Sequence, residues 1–116
     1  MIFSFNTPIW FYPKPIDFRK QIDGLIIVVS DQLQINPTCG QLFVFRNRSE
    51  NKIKLLWWYR NAFWLCYVRM ESGFLQFPKV GEKVIELSRD QLSWLLSGLN
   101  FMEHQQFYEI KAVNFY

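Results

Sequence analysis

Between Gly40 and Met70 the charged side chains are Arg46, Arg48, Lys52, Lys54, Arg60 and Arg69, against a single acid, Glu50. Guanidinium and ammonium groups neutralise backbone phosphates and release counterions, and each such contact steepens the salt dependence of binding by about one unit. Arg46, Arg48, Lys52 and Lys54 flank one polar turn, Asn47 to Asn51, and Lys52 and Lys54 share a strand face by the period of two. Rings are interleaved with these cations, and an exposed ring stacks on an unpaired base for roughly 1 to 3 kcal/mol. Arg19 and Lys20 are a second basic pair, placed where a helix is expected to start and where cations oppose its dipole. The same residue types have a plainer use. Lysines at a hairpin tip keep a sheet edge soluble, and Trp57, Trp58, Phe63, Trp64 and Tyr67 read as core or as subunit interface.

Catalytic patterns are missing. The sequence has no glycine-rich phosphate loop, no Gly-x-Ser-x-Gly elbow and no His-Glu-x-x-His helix. With one histidine, His104, and two cysteines, Cys39 and Cys66, no common zinc-ligand spacing exists, and no cofactor is expected. Asp17, Asp23 and Glu71 are the carboxylates to weigh for metal-assisted phosphodiester cleavage. The simpler assignment is Asp17 as a helix cap, Asp23 on a solvated face and Glu71 in a turn.

The elements that must position the basic residues follow from composition and pattern. A chain of 116 residues, 50% hydrophobic and 19% aromatic, is one globular domain. The net charge is only +3, so the segment from Gly40 to Met70 concentrates the positive charge and the remainder is slightly acidic. The start, Met1 to Pro8, lacks a basic leader, and the longest apolar runs, Leu25 to Val29 and Leu55 to Tyr59, are far too short to span a bilayer. A soluble cytoplasmic protein with reduced thiols is expected, with no membrane contact.

Ile9 to Tyr12 is a short apolar run closed by Pro13 and Pro15, an edge strand or extended arm. Asp17 is expected to cap a helix running to Gln34, because Phe18, Ile22, Leu25, Ile26, Val29 and Leu33 recur at helical spacing. Gly24 within it marks close approach of another element or is merely tolerated. Leu42 to Arg46, Lys52 to Tyr59, Phe63 to Met70 and Phe74 to Phe77 read as strands with connections short enough to demand antiparallel neighbours. Val84 to Leu87 is a loop or a short final strand. Ser88-Arg89-Asp90-Gln91 is a capping box opening a second helix, lined by Leu92, Leu95, Leu96 and Leu99, with Gly98-Leu99-Asn100 as its stop. The expectation is an α+β domain in which an antiparallel meander of three or four strands packs with two helices, without β-α-β alternation. The domain is expected to span residues 1–100, followed by a tail, 101–116, with no clear period.

Several of these stretches, in register, carry a resemblance. Asp17-Phe18-Arg19-Lys20-Gln21-Ile22-Asp23-Gly24-Leu25, then Gly40 to Arg48, Lys54-Leu55-Leu56-Trp57-Trp58, Arg69-Met70-Glu71-Ser72-Gly73-Phe74 and Phe77-Pro78 resemble the TnpB accessory protein of insertion sequence 66 family elements, the product of their second reading frame. The resemblance runs from about Ile9 to Leu99. It implies a non-catalytic bacterial protein that assists transposition of the element alongside a separate, larger transposase. By motif position it puts Asp17, Arg19, Lys20, Gly24, Phe45, Arg48, Lys54, Trp58, Arg69, Glu71 and Pro78 on the family pattern. The chain departs where relatives usually carry an aspartate and glycines, since it has Tyr59-Arg60-Asn61-Ala62, and Val68 stands where a basic residue is common.

Three functions compete on this footing. The first is an accessory factor contacting DNA at the element ends through Arg19, Lys20, Arg46, Arg48, Lys52, Lys54, Arg60 and Arg69. The second is a protein adaptor that docks the transposase or a second copy of itself through aromatic surface, a homo-oligomer in the latter case. The third is a metal-dependent nuclease resting on the carboxylates Asp17, Asp23 and Glu71.

Overall fold

Hydrophobic side chains on both faces of one sheet organise the molecule. The computed structural model describes residues 6–79 and 81–97. In chain order the elements are strand β1 (Ile9–Phe11), helix α1 (Ile22–Ile27) continued by a π-helical stretch (Val28–Leu33), strands β2 (Leu42–Arg46), β3 (Lys52–Tyr59), β4 (Ala62–Arg69) and β5 (Ile85–Leu87), and helix α2 (Arg89–Leu96). The strands form a single five-stranded sheet in the order β4-β3-β2-β1-β5. The class is α+β, as the pattern predicts.

The strands and their connections differ from expectation in three ways. First, β1 is interior and not an edge: it pairs in parallel with β2, Ile9 opposite Leu42, and antiparallel with β5, Ile9 opposite Leu87. Pro13 and Pro15 lie just beyond its end, so neither removes a donor from the strand. Second, α1 is the crossover between two parallel neighbours, one β-α-β unit that the sequence pattern did not reveal. Third, Phe74 to Phe77 is not a strand. Gly73, at φ +78°, turns the chain out of β4, and the Leu75 amide donates to the Glu50 carbonyl at 2.8 Å. Phe77 stacks on Phe11 with ring centroids 5.7 Å apart, so the segment plugs the core rather than extending the meander.

Alternation along the strands sorts the core. On one face Phe11, Val44, Ile53 and Leu55 pack with Leu75, Phe77, Leu87 and Leu95 of α2. On the other, Phe43, Phe45 and Leu56 pack with Leu25, Val28 and Val29 of the helical crossover. The expected apolar stripe of the first helix is therefore the buried one. Its start is later than expected: Asp17 is not the cap, and the helix begins at Ile22 after Gln21, whose side chain makes no capping hydrogen bond. It ends at Gln34, which adopts a left-handed conformation at φ 57°. The second helix starts as predicted. Ser88 Oγ accepts from the Gln91 amide at 3.0 Å, and the Ser88 amide donates to Gln91 Oε1 at 2.8 Å. The stop at Gly98-Leu99-Asn100, His104 and the tail 101–116 lie outside the described residues. Among the described residues no helix is long and apolar enough to cross a membrane.

Candidate nucleic-acid interface

Lys54 sits in the middle of β3 between Ile53 and Leu55, and strand periodicity turns its side chain toward the face covered by the first helix. It is completely buried, at 0% exposure. Its ammonium donates to the Phe18 carbonyl at 2.9 Å and to the Lys20 carbonyl at 2.6 Å. The rings of Phe18 and Tyr67 flank it, with centroids 5.0 and 5.4 Å away. Burial pushes its pKa below the ordinary lysine value, the Asp17 carboxylate works against that shift, and Lys52 adds to it. A buried cation held in this way is an anchor that ties the segment before α1 to the sheet.

That segment has a geometry of its own. The Asp17 carboxylate accepts from the Arg19 amide at 2.9 Å, a tight local turn. It also holds the Arg19 guanidinium in a two-pronged ion pair whose shortest contact is 2.6 Å. This pairing with Arg19 lowers the Asp17 pKa from 3.8 to about 2. Gly24 follows from the same fold-back, because a Cβ there would stand 3.0 Å from the Cβ of Lys20. The close neighbour is thus the chain's own preceding loop.

Two further cations are occupied by the fold. Arg46 donates to the Pro13 carbonyl at 2.7 Å and to the Asn47 carbonyl at 3.2 Å, with its guanidinium 6.0 Å from the centre of the Phe77 ring. Arg69 pairs with Glu71 at 2.7 Å, and this raises its already high pKa further.

The remaining four candidates divide by position. The Asn47 side chain shapes the turn between β2 and β3: its Oδ1 accepts from the amides of Asn51 and Lys52 at 3.1 and 3.0 Å, and its Nδ2 donates to Asn51 Oδ1 at 2.6 Å. That leaves Arg48 exposed at the tip. Lys52 begins β3, half-buried and directly opposite Arg69. Lys20 is exposed beside the carbonyl that anchors Lys54. Arg60 is elsewhere, at the far end of the β3–β4 hairpin. It and Asn61 both adopt left-handed conformations, φ 51° and 59°, with the guanidinium 5.3 Å from the Tyr59 ring centre. Lys54 thus leaves the set of cations available to a ligand, Arg19 and Arg69 carry compensating acids, and Arg60 stands apart from the rest. The signal that marked Lys54 in advance was its setting, one lysine inside the apolar run Ile53 to Trp58.

The carboxylates considered for metal chemistry do not converge. Asp17 and Glu71 are engaged by arginines, and Asp23 lies exposed on the first turn of α1. Among the described residues no group of three or more histidine, cysteine, aspartate or glutamate side chains could hold a metal ion. Cys39 and Cys66 are free and exposed.

A small α+β domain whose basic residues partly anchor its own loops, and partly project from one end of its sheet, is the class that fold and site define. Residues 7–106 match the family described as IS66 Orf2 like protein, and the chain belongs to that family. The protein is therefore a transposition-associated accessory protein by family. It is 33% identical over 101 residues to the uncharacterised protein y4hO of Sinorhizobium fredii (strain NBRC 101917 / NGR234), covering 87% of this chain and 88% of that protein. It is 32% identical over 88 residues to y4jC of the same strain, also uncharacterised, covering 76% of this chain and 75% of the relative. No solved structure gives a significant match.

Proposed function

We propose that the chain is a non-catalytic accessory factor that contacts DNA at the ends of its insertion sequence and acts with the transposase encoded by the same element. One observation carries the reading. In a chain of a transposition-associated family, Arg48 and the half-buried Lys52 at the β2–β3 turn and Lys20 on the anchored loop form no salt bridge among the described residues. Phosphate contact by such groups is sequence-independent and salt-sensitive. In this reading the recognition of element ends as a sequence belongs to the transposase, and this chain adds affinity and position.

The test is affinity for duplex and single-stranded element ends over a salt series, for the native chain and for the triple variant Lys20→Ala, Arg48→Ala, Lys52→Ala. The expected result is a salt slope reduced by about three in the variant. No binding, or an unchanged slope, overturns the DNA contact. A second reading, an adaptor with no DNA contact, is favoured by the exposed apolar side chains Ile27 and Phe74, at 57% and 66% exposure. Co-purification with the transposase that survives high salt and is lost on Ile27→Asp or Phe74→Asp supports it.

A further inference from the structure

The two edges of the sheet are unequal. β5 closes one side with three residues. β4 closes the other with eight, and from Ala62 to Val68 it carries no charge and no proline. Edge strands of that length are normally blunted by lysine, proline or a bulge, because their open amides and carbonyls template the pairing of another chain. β4 has none of these, and Trp64 and Tyr67 remain 47% and 51% exposed on it.

Among the described residues no strand pairs with the outer side of β4, and the register fixes which of its backbone groups face that side. The β3–β4 hairpin turns through Arg60 and Asn61, both left-handed, which makes Tyr59 and Ala62 a hydrogen-bonded pair. Hydrogen-bonded pairs then alternate along the strands, and the Met70 amide donating to the Asn51 carbonyl at 2.8 Å falls in the expected phase. The N–H and C=O groups of Ala62, Trp64, Cys66 and Val68 face β3. Those of Phe63, Leu65, Tyr67 and Arg69 face outward.

We propose that β4 is a dimerisation edge, pairing antiparallel with β4 of a second copy about a two-fold axis at Cys66 and joining two sheets into one of ten strands. The four outward-facing residues are spaced symmetrically about Cys66, so the strand is its own complement. In this register Leu65 exchanges both backbone bonds with Tyr67 of the second copy, Phe63 does so with Arg69, and no outward group is left unpaired. A two-fold perpendicular to the sheet requires paired residues to share a face, and these do. Charge agrees with the arrangement. Arg60 stands at one end of the strand and the Arg69–Glu71 ion pair at the other, so antiparallel pairing sets each Arg60 near a neutralised pair, whereas parallel pairing sets Arg60 beside Arg60 of the second copy. Room is also present. An open cleft of about 590 Å³ lined by Arg19, Gln21, Ile22, Asp23, Gly24 and Leu65 leaves space on the Leu65 face of the edge for side chains of the second copy. The inference is independent of DNA contact, and its test contains no DNA.

The geometry makes a specific demand on Cys66. At the axis the two copies of this residue form a non-hydrogen-bonded pair, with Cα atoms about 4.5 Å apart, inside the range a disulfide bridges. In a Cys39→Ser background, copper-phenanthroline oxidation of the purified chain is expected to give a disulfide dimer through Cys66. Sedimentation is expected to show a reversible dimer in reducing buffer. Cys66→Lys places two like charges across the axis while changing only an exposed side chain, and is expected to raise the dissociation constant by about tenfold or more. Tyr67→Pro removes an amide that faces away from β3 and is expected to weaken the dimer more than Tyr67→Ala, which takes the same ring from beside Lys54 but keeps the amide. A native chain that sediments as a monomer up to about millimolar concentration overturns the proposal. A dimer that Cys66→Lys and Tyr67→Pro both leave intact, with no Cys66 cross-link, overturns it equally.

Discussion

Lys52 and Lys54 leave the same face of β3 two positions apart, yet they belong to different regions of the molecule. Around Lys54 the strand is covered, the ammonium bonds to two backbone carbonyls and lies between two rings, and the charge organises the loop before α1. Around Lys52 the strand emerges at the Asn47 to Asn51 turn, and charge faces outward with Arg48. The difference shows that positive charge counted along a sequence is not the charge a ligand meets. A strand passing from cover to solvent turns one residue type from anchor to contact within a single period.

The comparison is broken most directly at Lys54. Lys54→Ala removes two charge-assisted hydrogen bonds and leaves a cavity, so unfolding in denaturant is expected to show a loss of roughly 3 kcal/mol, while the salt slope of DNA binding stays unchanged. A stable variant with a weakened slope would invert the two roles. At the far end of the same strand, Arg60→Gly relieves a left-handed non-glycine residue and is expected to raise stability by about 1 kcal/mol. An unchanged salt slope in that variant would confine DNA contact to the Lys52 end. Arg48→Ala and Lys52→Ala are each expected to shift stability by no more than about 0.5 kcal/mol and to lower the salt slope by about one.

The smallest effect is on pH. The Arg19 guanidinium holds the Asp17 carboxyl down at about 2 against an ordinary 3.8. A carboxyl whose folded pKa is depressed stabilises the fold above its ordinary value, and that contribution disappears as pH falls toward the folded value. The anchored loop is therefore expected to loosen between about pH 4 and pH 2. A carboxyl titration followed by NMR should give Asp17 a midpoint near the lower value, and Arg19→Ala should return it to the ordinary range.

Local signals in the sequence predicted local structure. The capping box at Ser88, the apolar stripe from Ile22 to Leu33 and the strands on either side of the Asn47 turn all lie where spacing and polarity put them. What was not legible depended on distant partners. Nothing within Ile9 to Tyr12 reveals that β2 and β5 lie on its two sides, and the prolines after it suggested an edge. Asp17 has the chemistry of a helix cap, but an arginine two residues on offered its carboxylate a stronger partner. Phe74 to Phe77 has strand composition, yet Leu75 and Phe77 are buried in the core while Phe74 is exposed, and Gly73 lets the chain turn there. The candidate site was legible as a set of cations and not as a surface. Of the eight cations, burial withdraws Lys54, and acids or carbonyls engage Arg19, Arg46 and Arg69.

The interior position of β1 also orders events in time. Ile9 must find Leu42 and then Leu87, so the first of the described strands is completed by the last of them. The β2–β4 meander closes through short turns and can form while β1 waits, since local pairings carry the smallest loop-closure penalty. Until β5 emerges, Phe11 lacks its neighbour Ile85 in the sheet, and one flank of the growing sheet stays unsaturated. Pulse-labelled hydrogen exchange during refolding should find the amides of β2 to β4 protected first and those pairing β1 with β5 last. β1, first of the described strands, is the last to be closed on both sides, and a truncation before Ile85 should leave a folded meander with β1 loose.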